Sequence, residues 1–182
     1  MSDDQLLQAY ARGQEKAFEI LYEKYKQALY SYFYRNCDQS LVDELFQDVW
    51  LRVIASSKRY QQQNKFRAWL FTLAHNCLVD HYRRQGARVN INVKDENAES
   101  VEIQIDKSVI ATEIESLELG EKLLTAIDSL PPDQKEVFYL REESGFSIKD
   151  IAKIQDISNE AAKSRLRYAY GKLRSLLEEA SV

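Results

Sequence analysis

Proline and glycine are scarce in this chain. Two prolines and five glycines among 182 residues leave few places where a helix must stop, and the abundant Leu, Ala, Glu, Gln, Lys and Arg are good helix formers. A mostly helical protein without substantial sheet is expected. Cysteine is nearly absent as well. Cys37 and Cys77 are too few for a disulfide framework, and His75 and His81 add no paired spacing of the kind a zinc site needs. No metal ligand set and no cofactor motif is visible, and both thiols read as buried. His75 and Cys77 lie two apart on a helix and point in different directions, so they do not make a nucleophilic pair. No catalytic constellation emerges. Long apolar runs are also missing: nothing can span a bilayer, and the opening MSDDQLLQAYARG lacks the basic-then-apolar order of a secretory signal. The expectation is a cytoplasmic protein with no membrane insertion and no enzymatic activity.

What the chain does have is a concentration of positive charge. Between Lys58 and Arg88 stand seven basic residues, Lys58, Arg59, Lys65, Arg67, Arg83, Arg84 and Arg88, against the single acid Asp80, in a protein whose net charge is −4. Phe66, Trp69, Leu70, Leu73, Ala74, Cys77 and Leu78 recur between the basic ends at helical spacing and give one apolar face. Basic groups interleaved with aromatic ones suit a surface that holds phosphates while stacking or pocketing unpaired bases.

Three helices precede that stretch. The first runs from about Asp3 to Arg12 and closes at Gly13. The second, Glu15 to Arg35, carries Phe18, Leu21, Tyr22, Tyr25, Leu29, Tyr32 and Phe33 on its inner face. The third ends near Ser56, with Ser40 as its expected cap, Asp43 and Glu44 in its first turn, and Leu41, Leu45, Val49, Leu51, Val53 and Ile54 on its apolar side. With the helix ending near Gln85 and Gly86, these make a compact four-helix unit over 1–86, which has 12 basic and 10 acidic residues. From 87 to 120 the balance turns to three basic against eight acidic residues, and this segment reads as an extended acidic linker. VNINV and VEIQI alternate like strands, but the residues between them are poor turn formers.

A second helical unit, 121–182, carries the sharpest local pattern. Its inner stripe starts with Leu117, Leu119, Leu123, Leu124, Ile127 and Leu130, and Pro131 and Pro132 separate that helix from the next. Ser147 caps a short helix with Ile148, Ile151, Ala152 and Ile154 inside. Asp156-Ile157-Ser158 then leads to a long helix from Asn159. This is helix-turn-helix spacing, with Asp156 at the turn position usually held by glycine. The exposed side of the last helix offers Lys163, Ser164, Arg167 and Tyr168 to a major groove, with Arg165, Lys172 and Arg174 nearby.

AFEILYEKY, DELFQDVWLRVI, FRAWLFTLAHNCLVDHYRRQ, SLPPDQKEVFYLREESGFSIKDIA and AAKSRLRYA, in this order, resemble the pattern of the extracytoplasmic-function sigma factors of bacterial RNA polymerase. The resemblance implies an all-α protein of two small helical domains. The first, 1–86, would bind the polymerase clamp helices through Asp43, Gln47, Asp48 and Arg52 and would read and melt the minus-10 element. Lys58, Arg59, Tyr60, Lys65, Trp69, Asn76, Arg83 and Arg84 are the residues implied for that element, with the loop Lys58 to Lys65 pocketing a flipped base. The second, 121–182, would read duplex DNA at minus-35 through Arg141, Lys163, Ser164, Arg167 and Tyr168. Core polymerase, promoter DNA in duplex and single-stranded form, and an anti-sigma factor are the partners it implies.

That reading also fits the charge. A free-standing DNA binder needs enough basic contacts to release counterions at physiological salt, and a net −4 does not supply them. A factor that joins a large DNA-binding partner needs only local contacts. A conventional two-domain helix-turn-helix regulator remains the alternative; it would use neither the Lys58 to Lys65 loop nor Asn76.

Overall fold

Ser2 starts the first helix through a reciprocal cap. Its hydroxyl accepts the Gln5 N–H at 3.3 Å, and Gln5 Oε1 accepts the Ser2 N–H at 2.7 Å. In this computed structural model, which describes residues 1–61, 65–86 and 113–179, α1 (Asp3–Ala11), α2 (Glu15–Asn36), α3 (Gln39–Ser56), a 3-10 turn at Ser57–Arg59 and α4 (Phe66–Arg84) form the first unit. The second unit consists of α5 (Glu113–Asp128), α6 (Pro132–Glu142), α7 (Ile148–Ile154) and α8 (Asn159–Glu179). No strand occurs among the described residues, and the fold is all-α as expected. The greater part of the acidic linker, with VNINV and VEIQI, lies outside the described residues, as do Gln62, Gln63 and Asn64.

Gly13 closes α1 at φ +97°, where a side chain would be strained. Ser40 does not cap α3. The helix begins a residue earlier at Gln39, with Asp38 at its N-cap and no side-chain capping bond, so Ser40 already lies in the first turn. Phe18 and Tyr22 of α2 meet Phe46 and Trp50 of α3 at ring separations of 5.0 to 6.1 Å, an aromatic seam that fixes the two helices. The buried side of α3 is Val42, Leu45, Val49, Trp50 and Val53. Leu51 and Ile54, expected among them, are instead 63% and 39% exposed. On α5 the same correction applies to Leu119 and Leu124, which are exposed beside the buried Ala126 and Ile127.

The two units are not separate beads. Val137, Leu140, Phe146, Ile151 and Ile154 of the second unit join one buried cluster with Leu29, Phe33, Phe71 and Ala74 of the first. α4 consequently has two buried sides: Phe66, Leu70, Ala74, Cys77 and Leu78 face their own unit, while Phe71 meets Phe146 at 5.0 Å between ring centroids. His75, on the same side as Phe71, reaches Glu136 of α6.

Glu136 is only 5% exposed. Its Oε1 accepts the Tyr32 hydroxyl at 2.5 Å and lies 2.8 Å from His75 Nδ1, while Oε2 accepts Gln155 Nε2 at 2.8 Å. Gln155 Oε1 in turn accepts Arg165 Nη1 at 3.0 Å, and Arg165 pairs with Asp133. Burial opposes charge on both partners. Against it, the charge and hydrogen bond of Glu136 hold His75 above the usual histidine range, and His75, Tyr32 and Gln155 hold Glu136 below the usual carboxylate range. The pairing thus favours the charged forms of both His75 and Glu136 across the seam.

Candidate nucleic-acid interface

The 3-10 turn and the start of α4 enclose a cavity of about 330 Å³ lined by Ser56, Arg59, Tyr60, Gln61, Lys65 and Trp69. Tyr60 and Trp69 stand 4.6 Å apart between centroids and form its aromatic wall. Arg59 and Lys65 are exposed at the rim. Four of the eight residues implied for the minus-10 element, Arg59, Tyr60, Lys65 and Trp69, are thus brought together, with Lys58 exposed beside them but outside the lining. Asn76 does not line the cavity and is exposed. Trp69, Asn76 and Arg83 follow one another at seven-residue intervals on α4, about 10 Å apart along one side of the helix. Arg84 is exposed at the same end. The arrangement gives an aromatic cleft followed by an amide and then by guanidinium groups.

Sequence reasoning missed the residue that braces this cleft. Asp4 of α1, 3% exposed, accepts the Tyr60 hydroxyl at 2.5 Å, and burial together with that hydrogen bond raises the phenol above its ordinary range. The neighbouring Asp3 takes Lys24 and the Tyr25 hydroxyl at 2.6 and 2.5 Å. Two acids in a first turn look like helix-dipole partners in the sequence; only the chain's return past α1 gives them these roles.

The helix-turn-helix geometry of α7 and α8 follows its expected form. Ser147 Oγ accepts the Asp150 N–H at 3.1 Å, Ala152 is buried where α7 meets α8, and Asp156 adopts φ +53° in the turn. Ser158 Oγ accepts the Ala161 N–H at 3.0 Å and caps α8. Lys163 and Tyr168 are exposed and Ser164 and Arg167 half-buried, all in the first half of α8. Lys163 pairs with Glu160 at 3.2 Å, and the Arg167 guanidinium lies 5.4 Å from the Tyr168 ring. Arg141 is exposed on α6 and donates to the Phe146 carbonyl at 2.9 Å. Arg165 belongs to the interior, bonded to Gln155 and Asp133.

On α3, Asp43 and Gln47 are exposed one turn apart, and Leu51 extends their row by another turn. Asp48 and Arg52 lean toward α4, where Arg52 bridges Asp48 at 3.0 Å and Asp80 at 3.1 Å. Burial and a hydrogen bond with Asp48 push the Cys77 thiol up to about 12, and burial brings Cys37 to about 11, so neither sulfur is poised as a nucleophile. No group of His, Cys, Asp and Glu able to hold a metal occurs among the described residues.

Residues 21–88 match the Sigma-70 region 2 family, and residues 120–173 match Sigma-70, region 4. The ECF RNA polymerase sigma factor EcfG of Rhodopseudomonas palustris (strain TIE-1) is 34% identical over 142 residues, 78% of this chain and 73% of that protein. The RNA polymerase sigma factor CarQ of Myxococcus xanthus is 29% identical over 174 residues, covering 95% and 96% of the two chains. Among solved structures, CnrH in complex with the cytosolic domain of CnrY aligns with a TM-score of 0.68 at 23% identity over 98% of this chain and 99% of that one. The sigma factor RpoE in complex with the anti-sigma factor NepR from Bartonella quintana aligns at 0.66 and 25% identity over 90% and 98%.

Proposed function

The chain belongs to the extracytoplasmic-function sigma factors of bacterial RNA polymerase, and from that membership we propose how its residues divide the work of initiation. As a sigma factor it is a DNA-binding initiation factor that directs core polymerase to promoters; such factors are not themselves catalysts. Lys163, Ser164, Arg167 and Tyr168 on α8 read the minus-35 bases in the major groove, and Arg141 adds a phosphate contact beside them. The 1–86 unit reads minus-10. A non-template base, once extruded, enters the cleft walled by Tyr60 and Trp69, with Arg59 and Lys65 holding its phosphates and Asn76, Arg83 and Arg84 receiving the strand beyond.

The observation that carries this reading is the aromatic cleft with cations at its rim, since a pocket of that make-up offsets the few kcal/mol of unstacking that base extrusion costs. Asp43, Gln47 and Leu51 form the outward row for the polymerase clamp helices, with Asp48 and Arg52 shaping it from behind. Both solved relatives are held in complexes, one of them a sigma factor with an anti-sigma factor by name; an anti-sigma partner in the cytoplasm follows for this chain by the same reading. No helix among the described residues is long and apolar enough to cross a membrane.

Asn76→Ala and Trp69→Ala test the assignment. With purified core enzyme, both variants should keep core binding and lose permanganate-detected thymine exposure near the start site. Normal opening by both would remove the base-capture role.

A further inference from the structure

The first turn of α1 carries two acids with different tasks, and it precedes the residues shared with region 2, which begin at 21. Ser2 and Gln5 cap the helix reciprocally, and Leu6 and Leu7 are buried, which fixes the turn in place. Asp3 binds that turn to α2, accepting Lys24 Nζ at 2.6 Å and the Tyr25 hydroxyl at 2.5 Å. Asp4 turns instead to the cleft, where its Oδ1 accepts the Tyr60 hydroxyl at 2.5 Å.

A carboxylate only 3% exposed is costly unless it is bonded, and the donor Asp4 takes is the phenol that walls the cleft. Tyr60 leaves the 3-10 turn in an extended conformation, and its ring meets Phe66 at 6.2 Å and Trp69 at 4.6 Å between centroids. Ring contacts are broad in angle. An O–H donated to a carboxylate is directional and roughly twice as strong as a neutral bond. The bond to Asp4 therefore decides how the Tyr60 ring is tilted within those contacts.

We propose that Asp4 is a positioning residue for base capture: it sets the Tyr60 ring at the angle at which Tyr60 and Trp69 take up an extruded base, so that the first turn of α1 belongs to the opening machinery. The inference rests on the cleft reading above and adds the residue that preorganises it. Asp4 is buried and acts only through Tyr60. A wall already held before the base arrives needs no ordering at capture, whereas a phenol released from Asp4 must lose its freedom each time. A hydrogen bond that merely kept α1 in place would lower stability without distinguishing a strand that carries the base from one that lacks it.

Holoenzyme assembled from core polymerase and the full chain tests this by binding a fluorescent non-template-strand oligonucleotide across minus-10, at a temperature where circular dichroism shows every variant folded. An abasic nucleotide placed at each position in turn should weaken wild type most at one position, that of the captured base. Asp4→Ala should bind the intact strand about threefold to tenfold more weakly, a part of what stacking one base on an aromatic ring contributes. On the strand abasic at that position it should match wild type. Tyr60→Phe keeps the ring and breaks the same bond from its other end, so it should give the same pattern, and the double variant should lose no more than either. Asp3→Ala breaks the neighbouring bonds to Lys24 and Tyr25 and should bind both strands as wild type does. Equal loss from Asp4→Ala on intact and abasic strands, full binding by Tyr60→Phe, or a base-dependent loss from Asp3→Ala would overturn the positioning role. A wild type indifferent to an abasic nucleotide at every position would refute the cleft reading itself, and the brace with it.

Discussion

The clasp on Glu136 can be measured through the chain's own fluorophores. Both tryptophans, Trp50 and Trp69, lie in the first unit, whereas Glu136 is in the second. Urea unfolding followed by tryptophan emission therefore reports whether a change on α6 is felt across the seam. Glu136→Gln keeps the shape but removes the charge facing His75 and presents an amide to a site that already holds three donors. Breaking a buried pair from one side costs about 3 to 5 kcal/mol. Tyr32→Phe removes one hydrogen bond to a charged acceptor that retains two others, about 1.5 kcal/mol. In the Glu136→Gln background that hydroxyl has lost its ionic acceptor, so the double variant should fall short of additivity by about 1 kcal/mol, above the ~0.5 kcal/mol scatter of independent sites. The pair is 104 residues apart in sequence, and such coupling has no local source. A tryptophan transition unmoved by Glu136→Gln, with the helical signal lost earlier, would refute the contact. So would strict additivity.

Other outcomes follow from the same geometry. His75, faced by Glu136, Tyr32, Arg165 and Asp156, has a folded pKa above the unfolded value of about 6.5. Its contribution is therefore complete below that pH and lost as pH rises through the folded value. Glu136 has a lowered pKa, so its contribution is present above about pH 4.3 and lost on acidifying through the folded value. Stability by tryptophan emission should thus decline as pH rises above about 6.5, and His75→Gln should flatten that decline. Asp4→Ala should cost about 1 to 2 kcal/mol in thermal or urea unfolding, and it should weaken permanganate-detected opening more than core binding because it frees the Tyr60 wall. Lys163→Ala or Arg167→Ala should weaken recognition of the minus-35 sequence by about 1 to 3 kcal/mol in competition binding of the holoenzyme; equal loss on every upstream sequence would make them phosphate contacts. Leu51→Asp should reduce co-purification with core enzyme more than Asp48→Ala, since Leu51 is the more exposed and Asp48 is committed to Arg52.

Elements set by neighbours in sequence were legible from the residues. Ser147 capping Asp150, the Asp156 turn and the start of α8 depend on contacts three to six residues long, and each appears where the pattern puts it. The cleft was half legible: aromatic and basic residues flagged it, but Asp4 holds Tyr60 from 56 residues away. The seam was not legible. Phe71 and His75 fall off the main apolar stripe of α4 and looked incidental, because the stripe records burial against the helix's own unit. Leu51 and Ile54 show the reverse error, since apolar residues at helical spacing were read as core although one row faces outward.

The seam mixes apolar contact with buried and exposed ionic groups. A wholly apolar interface would leave a large patch exposed whenever the units separated, with the attendant risk of self-association. Here the apolar contact of Leu29, Phe33, Phe71 and Ala74 with Val137, Leu140, Phe146, Ile151 and Ile154 is accompanied by Arg35, Arg67, Tyr32, His75, Glu136 and Glu143, groups that water solvates well. A buried ion pair adds little net stability over an apolar substitute, because the attraction is largely offset by desolvation. The same balance makes separation inexpensive once another surface competes for these residues. Tyr32 and His75 therefore specify how the units meet more than how tightly.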